Sequence, residues 1–266
     1  MTGLCLLASC NRQEADQEPQ MTVLTASGAS TRVAIDESTA TTCTWSEGDA
    51  LSVFTTEGAF KEFTLIDGAG ENTGTFGAVL ADGESAQGYA VSPAGDHKYS
   101  DGTLKINLPA TYEYKTGVSN IPMVASANGT DNLKFSHAGG VIRFAIKNVT
   151  VGGTFEFICN TARVTGDFDV AFSDGKPVIS ADDASASSTV TLTFDKPEVT
   201  GEDVITYFYI PVPTGTYSNF TINIYNADDN ALVMTKTAAS EKNIVGRGTV
   251  LKMKTLTQPT FSGGTE

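Results

Sequence analysis

The sequence is poor in histidine, tryptophan and basic side chains: among 266 residues there are two His, one Trp and 17 Lys plus Arg. Asp and Glu number 31, so the formal net charge is −14. Such a surface lacks the basic patch that nucleic-acid phosphates require, and it disfavours docking on anionic lipid. No apolar run approaches the ~20 residues that a membrane-spanning helix needs. We therefore exclude nucleic acid as a partner and exclude a helical membrane span.

The shortage of histidine also argues against an enzyme. A Ser-His-Asp or Cys-His site needs a histidine beside a nucleophile. His97 lies in a turn-rich stretch, Pro93–Lys98, that is typical of a solvated loop. His137 ends a short apolar segment before two glycines, where a structural hydrogen bond is the expected role. We predict no catalytic residues and no enzymatic activity.

Acidic clusters at Asp167–Asp169, Asp174 and Asp182–Asp183 raise the question of calcium. Their spacing does not match a calcium loop, which needs oxygen ligands at alternate positions around a fixed glycine. Turn formation by Asp-Gly and Asp-Asp pairs explains them. An acidic chain always offers pairs of carboxylates, so a glycosidase stays open as a third hypothesis, but no pair stands out. We predict no metal and no cofactor.

Near the start of the chain, Leu7-Ala8-Ser9-Cys10 matches the pattern at which bacteria cut a signal peptide and attach lipid to the new N-terminal cysteine. We therefore predict residues 1–10 as a lipoprotein signal region and Cys10 as a palmitate-bearing anchor. Met1–Ser9 is short and lacks Lys and Arg, which indicates a start site further upstream. Residues 11–20 are polar, acidic and aperiodic, as expected of a tether. Cys43 and Cys159 are predicted to be independent buried thiols.

From Met21 onward the apolar residues alternate with polar ones, and no stretch carries a helical stripe over three turns. Many short strands at intervals of about 8–12 residues are typical of all-β sandwiches. Asp228-Asp229-Asn230 predicts a hairpin turn. The number of strands favours two domains, which we place at 21–130 and 131–266.

Eight tyrosines, Tyr209 and Tyr217 among them, support a hypothesis of a different class: a surface lipoprotein that binds glycans through an aromatic sheet face and never polymerises. The single tryptophan, the best platform for a sugar ring, lies early in the chain at Trp45. In strands, most tyrosines pack at sheet edges with their hydroxyls in water. Glycan binding is therefore the alternative and not the leading hypothesis.

A series of segments, in this order, resembles the fimbrillin family, the lipoprotein pilins of anaerobic gram-negative bacteria. The segments are Ser30–Val33, Thr44–Phe54, Leu108–Thr111, Ile121–Ala125, Leu133–His137, Tyr209–Tyr217 and Val250–Met253. The resemblance implies two tandem transthyretin-like β-sandwiches and a surface-exposed subunit at the cell outer membrane that joins a fimbrium. It further implies other fimbrial subunits as partners, a role in cell adhesion, and a host or bacterial surface ligand that the sequence does not specify.

In that family an Arg-specific protease cuts near the N-terminus, which removes the first strand and opens a groove for a strand of another subunit. The matching bond in this sequence joins Arg32 to Val33, after Gly28 and Ser30. A cut there would remove the alternating stretch 21–28 and expose an unpaired edge. The resemblance therefore makes Arg32 and Val33 the maturation site and 21–28 a removable strand.

The resemblance places the strand donor at the C-terminus. Residues 249–256 alternate well but are expected to close the second domain. Beyond them only Phe261 is a large apolar residue, and Pro259 lacks the N–H that a sheet ladder uses. A stalk subunit with a weak donor and a tip, anchor or accessory subunit that mainly accepts strands both stay open.

Overall fold

The computed structural model describes residues 21–28, 44–113, 122–127, 131–230, 232–238 and 243–257. All regular secondary structure in these ranges is β-strand, and no helix in them is long and apolar enough to cross a membrane. The strands are β1 Met21–Ser27, β2 Ala50–Thr55, β3 Phe60–Asp67, β4 Thr73–Val79, β5 Ala86–Ser92, β6 Lys98–Ser100, β7 Thr103–Leu108, β8 Thr111–Glu113, β9 Met123–Ser126, β10 Asn132–Lys134, β11 Ser136–His137, β12 Gly139–Lys147, β13 Gly153–Cys159, β14 Gly166–Ser173, β15 Lys176–Ala181, β16 Thr189–Phe194, β17 Ile205–Pro213, β18 Gly215–Thr216, β19 Phe220–Asn226, β20 Leu232–Ala238, β21 Ile244–Val245, β22 Val250–Lys252 and β23 Leu256–Thr257.

The first half of the chain forms an eight-stranded sheet in the order β10-β1-β4-β3-β2-β5-β9-β11. Its two end strands, β10 and β11, are separated in sequence by Phe135 alone. The sheet therefore curls until its ends approach each other, and it encloses a core on its concave side. The buried side chains of that core include Leu24, Trp45, Phe63 and Phe76.

The second half packs two sheets face to face. One has the order β17-β12-β22, with β23 also paired to β12, and the other has the order β20-β19-β13-β16-β8. Strict alternation in β13 and β19 turns one apolar face of each strand inward, as a half-buried strand requires. The core between the sheets is rich in phenylalanine, with Phe144, Phe155, Phe157 and Phe208 all buried.

A third layer lies on the outer face of the curled sheet. The sheet β15-β14-β7-β6 packs there, and the core between them includes Val91, Val124 and Phe168. Neighbouring residues on β5 point to opposite sides, since Ala90 belongs to the inner core and Val91 to the outer one. The strands of the curled sheet next to this layer are therefore apolar on both faces.

The predicted all-β class is confirmed. The β19–β20 hairpin forms at the turn that Asp228-Asp229-Asn230 predicted. Strand pairing also crosses the proposed domain boundary at residues 130 and 131, because β8 pairs with β16 and β7 with β14. The tandem two-sandwich division at 21–130 and 131–266 stays our interpretation of these layers.

Candidate functional site

Cys10, Arg32 and Val33 lie outside the residues that the structure describes, as do the signal region, the 11–20 tether and Cys43. The strand that the Arg32 cut would remove is described, and it is β1. The candidate site therefore consists of β1, the strands that pair with it, and the C-terminal strand.

β1 is an interior member of the curled sheet. It pairs antiparallel with β4 along its whole length, from Met21 opposite Val79 to Ser27 opposite Thr73. Its last three residues also pair parallel with β10, where Ala26 lies opposite Leu133. The N–H of Thr25 donates to the carbonyl of Asp131 at 2.7 Å. Removing β1 would leave acceptors and donors on two strands without partners, and this gap is the candidate site.

Alternation divides β1 into an inner and an outer face. Leu24 and Ala26 point into the core and are 1% and 0% exposed. Met21 and Val23 point outward and are 54% and 44% exposed. Of the two enclosed side chains of β1, Leu24 contributes most to the stability of the fold, because burying a leucine side chain stabilises the folded state by roughly 1.5–3 kcal/mol.

Trp45 connects the core to the backbone of β1. Its indole Nε1–H donates to the carbonyl of Ala26 at 3.1 Å, and its side chain is 1% exposed. Two rings pack edge-on against it, Phe76 with ring centroids 4.9 Å apart and Phe135 with centroids 6.0 Å apart. A buried indole N–H needs an acceptor, and removing β1 would take the Ala26 carbonyl away from Trp45.

On its outer face, β1 contributes to an exposed apolar patch, which consists of Met21, Val23, Ile66 and Val79. The patch surrounds Gly77, where a Cβ would lie 2.7 Å from the Met21 sulfur and 3.3 Å from Cδ1 of Ile66. The glycine thus makes room for the methionine side chain across the sheet. Two of the four apolar side chains in this patch belong to the removable strand.

The C-terminal strand is held at the edge of its own sheet. β22 pairs parallel with β12 over three residues, and β23 pairs parallel with β12 over two. Leu251, Met253 and Leu256 are half-buried against the second core. The expectation that this segment closes the second half of the protein is confirmed for residues 250–257, while Pro259 and Phe261 lie outside the described residues.

His97 lies in a loop, as its sequence context predicted, but its ring is partly buried and hydrogen-bonded rather than fully solvated. The backbone N–H of Asn107 donates to its Nδ1 at 3.2 Å, so Nε2 carries the proton and donates to the carbonyl of Pro93 at 3.1 Å. Burial lowers the pKa of His97 below its ordinary value of 6.5, although the Pro93 bond and two nearby carboxylates oppose this shift. Through these two hydrogen bonds the His97 ring connects the 93–98 loop to β7.

Several residues of the acidic clusters form ion pairs. Asp167, buried in β14, accepts from Lys98 at 2.7 Å and from the Asn107 side chain at 2.8 Å. Lys105 bridges Asp169 at 3.1 Å and Asp182 at 2.7 Å. Across the described ranges, no group of three or more His, Cys, Asp or Glu side chains is arranged to hold a metal ion. These pairs connect β6 and β7 to β14 and to the end of β15.

An aromatic cluster lies where the third layer meets the curled sheet. Tyr89 and Phe172 stack with centroids 5.6 Å apart and an interplanar angle of 10°, and Tyr99 contacts Tyr89 at 5.7 Å. Phe54 in turn contacts Tyr99 at 4.7 Å. A sugar-binding platform presents ring faces to solvent, whereas these rings pack against one another.

No protein-family model matches the sequence, and no curated protein matches it. Among solved structures, a candidate cell adhesion protein from Bacteroides ovatus ATCC 8483 is similar, with a TM-score of 0.52 and 12% identity over 90% of this chain and 92% of that one. A candidate cell adhesion protein from Bacteroides uniformis ATCC 8492 gives a TM-score of 0.47 and 13% identity, with 88% and 93% covered. A fimbrial assembly protein from Parabacteroides distasonis ATCC 8503 has a TM-score of 0.27 and 11% identity, over 83% of this chain and 100% of that one.

The first of these similarities defines a shared fold and nothing finer. With TM-scores below 0.5, the other two carry no argument. This chain therefore has the same layered all-β fold as that solved structure. The resemblance to the fimbrillin family, drawn above from short segments, is confirmed at the level of that fold.

Proposed function

We propose that this protein is a fimbrial subunit: a surface lipoprotein that assembles by proteolysis-triggered β-strand exchange and serves cell adhesion. The observation that carries the proposal is the position of β1. It is the first described strand in sequence, yet it lies between two other strands of its sheet. One backbone cut after it would free an interior strand and open a two-sided gap.

In this proposal Cys10 carries the lipid that brings the subunit to the cell outer membrane. A cut between Arg32 and Val33 then separates β1 from the body of the protein. The same cut separates the body from the lipid anchor, because Cys10 precedes β1 in the sequence. A strand of another fimbrial subunit fills the gap and makes the main-chain hydrogen bonds that β1 had made. No catalytic residue takes part on this chain's side, and the adhesion ligand is a host or bacterial surface.

The first test is limited digestion of the full chain with an Arg-specific protease. We expect the first cut after Arg32. The described structure provides an internal comparison, since Arg163 has a side chain that is 46% exposed and lies between β13 and β14. An Arg32→Ala variant should lose the first cut and keep any cut at Arg163. Cleavage at Arg163 with resistance at Arg32 would contradict the proposal.

The second test is assembly. The digested protein should form a ladder of oligomers on a denaturing gel when the sample is not boiled, and the Arg32→Ala variant should stay monomeric. A digested protein that runs as a monomer under the same conditions would rule out exchange between copies of this chain. Labelling with radioactive palmitate, with a Cys10→Ala variant as control, tests the anchor.

A further inference from the structure

The gap that β1 fills has two enclosed positions of unequal size, and the inference below rests on the proposed function. The first position holds Leu24, opposite Phe76 on β4. The second holds Ala26, opposite Gly74. Both side chains of β1 at these positions are buried, so any strand in the gap must place two side chains there.

Trp45 sets the small size of the second position. A Cβ on Gly74 would lie 2.8 Å from Cδ1 of Trp45 and 2.7 Å from Cδ1 of Leu65. The indole therefore covers the Ala26–Gly74 pair closely, and it is held from the other sides by Phe76 and Phe135. Cores packed at this density accept extra methylene groups only with strain.

Trp45 also marks which position of the strand must be small. Its Nε1–H donates to the carbonyl of the residue that occupies the small position, which is Ala26 in this state. A strand shifted by one residue would present its other face to the core. A strand shifted by two residues would keep the faces but would place a different side chain under the indole.

The C-terminal strand of a second copy can be compared with these requirements residue by residue. One face of residues 249–257 carries Lys252 and Lys254, whose charges would be buried among apolar side chains in either position. The other face offers Leu251, Met253 and Thr255 in succession. Only Met253 followed by Thr255 gives a large side chain and then a small one.

Sequence identity alone would favour a different register. Thr249-Val250-Leu251 repeats Thr22-Val23-Leu24, so direct alignment places Leu251 at the Leu24 position. That alignment puts Met253 under Trp45 in place of Ala26. Replacing leucine by methionine nearly conserves volume, whereas replacing alanine by methionine overfills a closed position. Packing and sequence identity therefore predict two different registers.

We propose that Trp45 makes the β1 gap selective for a large residue followed two positions later by a small one. The C-terminal strand of a second copy, once released from its pairing with β12 in that copy, then fits in a single register, with Met253 at the Leu24 position and Thr255 at the Ala26 position. Lys252 and Lys254 point outward in this register.

The register is tested in the full, uncleaved chain by replacing Met21–Ser27 with the sequence of the C-terminal strand. The graft of residues 250–256 places Met253 and Thr255 in the two positions, and the graft of residues 248–254 places Leu251 and Met253 there. We expect the first graft to melt about 5 °C or more above the second. A graft of residues 249–255 places both lysines inward and should not fold. Equal melting temperatures of the first two grafts, or the reverse order, would overturn the proposal.

The role of Trp45 is tested by a pair of substitutions followed by far-UV circular dichroism. Ala26→Met should lower the melting temperature by about 3–10 °C. In a Trp45→Phe background, where the ring over Ala26 is smaller, Ala26→Met should lower the melting temperature by less than half as much. Additive losses would show that Trp45 does not set the size limit. Thr25→Met adds similar bulk on the outward face and should change the melting temperature little.

Peptides distinguish this inference from the proposed function. Protein cut after Arg32 and freed of β1 should bind a peptide of residues 249–257 at least 10-fold more tightly than the same peptide with Thr255→Trp. A Lys254→Trp peptide, altered on the outward face, is the matched control and should bind like the parent. Equal binding of all three would overturn the size limit and leave strand exchange standing. Binding that follows the size order without oligomers of the whole chain would support the size limit and contradict exchange between copies.

Discussion

Leu24→Ala is the sharpest test of how β1 is held. Leu24 is 1% exposed and is the only large side chain that β1 places in the inner core. The substitution removes three carbon atoms and leaves a cavity between β4 and the strands across the core. The backbone of β1 keeps its hydrogen bonds, so the change isolates the packing contribution.

The magnitude follows from the burial of Leu24. Leucine-to-alanine changes at closed core positions cost about 2–5 kcal/mol, which includes lost transfer free energy and the cavity. We expect about 3 kcal/mol here, because Phe76 and Trp45 are held by each other and can fill the cavity only in part. In protein cut after Arg32, the same loss would weaken retention of β1 about 100-fold, since 1.4 kcal/mol is a tenfold change.

Urea denaturation followed by tryptophan fluorescence is the assay. Trp45 is the single tryptophan of the chain and lies in the same core as Leu24, so its emission reports on that core even if the second half unfolds separately. Val23→Ala is the control, because Val23 is 44% exposed and lies opposite Gly77 on the outer face. We expect it to cost less than about 1 kcal/mol. If Val23→Ala lowers the free energy of unfolding as much as Leu24→Ala does, Leu24 does not provide the main packing contact of β1.

Three further predictions concern other parts of the molecule. Tyr217→Phe should lower the free energy of unfolding by about 1–2 kcal/mol, measured by urea denaturation followed by circular dichroism, because the buried hydroxyl donates to the Pro213 carbonyl at 2.7 Å. Tyr99→Phe, at an exposed tyrosine, is the control and should change the free energy of unfolding little. Equal losses in the two variants would contradict this role of Tyr217. Because burial lowers the pKa of His97 below 6.5, the stability that its neutral ring contributes is present above pH 6.5 and is lost as pH falls through and below that value. His97→Gln should flatten this part of the stability curve, and identical slopes in both proteins would refute the assignment. Burial raises the pKa of Asp167, but hydrogen bonds from Asn107 and Lys98 outweigh burial and bring the pKa below 3.8. The ionised Asp167 therefore contributes stability that is present above pH 3.8 and lost below it, and Asp167→Asn should remove this contribution. Asp174→Asn, in an exposed turn, serves as the control in the same pH titration.

The strands themselves were predictable from the sequence because their alternation is local. Met21–Ser27 and Phe220–Asn226 each show a period of two within their own residues, and a turn-forming stretch follows Phe220–Asn226. The same locality explains what could not be predicted. The parallel pairing of Ala26 with Leu133 joins residues more than one hundred positions apart, and no local pattern specifies it.

The small position under Trp45 was missed for a related reason. In the sequence, Ala26 is one of many alanines and Trp45 lies nineteen residues further on. The indole N–H bond to the Ala26 carbonyl and the opposing Gly74 are visible only once β1, β4 and the segment around Trp45 are brought together. The solvation of the His97 ring was misjudged likewise, since its partner Asn107 lies ten residues further on, in β7.

The interior position of β1 bears on what can select a replacement strand. An incoming strand that fills the gap recovers nearly the same main-chain hydrogen bonds with β4 and β10, whatever its sequence, because these bonds involve the backbone alone. The hydrogen bonds therefore contribute affinity without discriminating between strands. Discrimination falls to the two enclosed side-chain positions, and of these the Leu24 position accepts several large residues. The position under Trp45 accepts few, so it is there that one partner strand, and one register of it, can be distinguished from another.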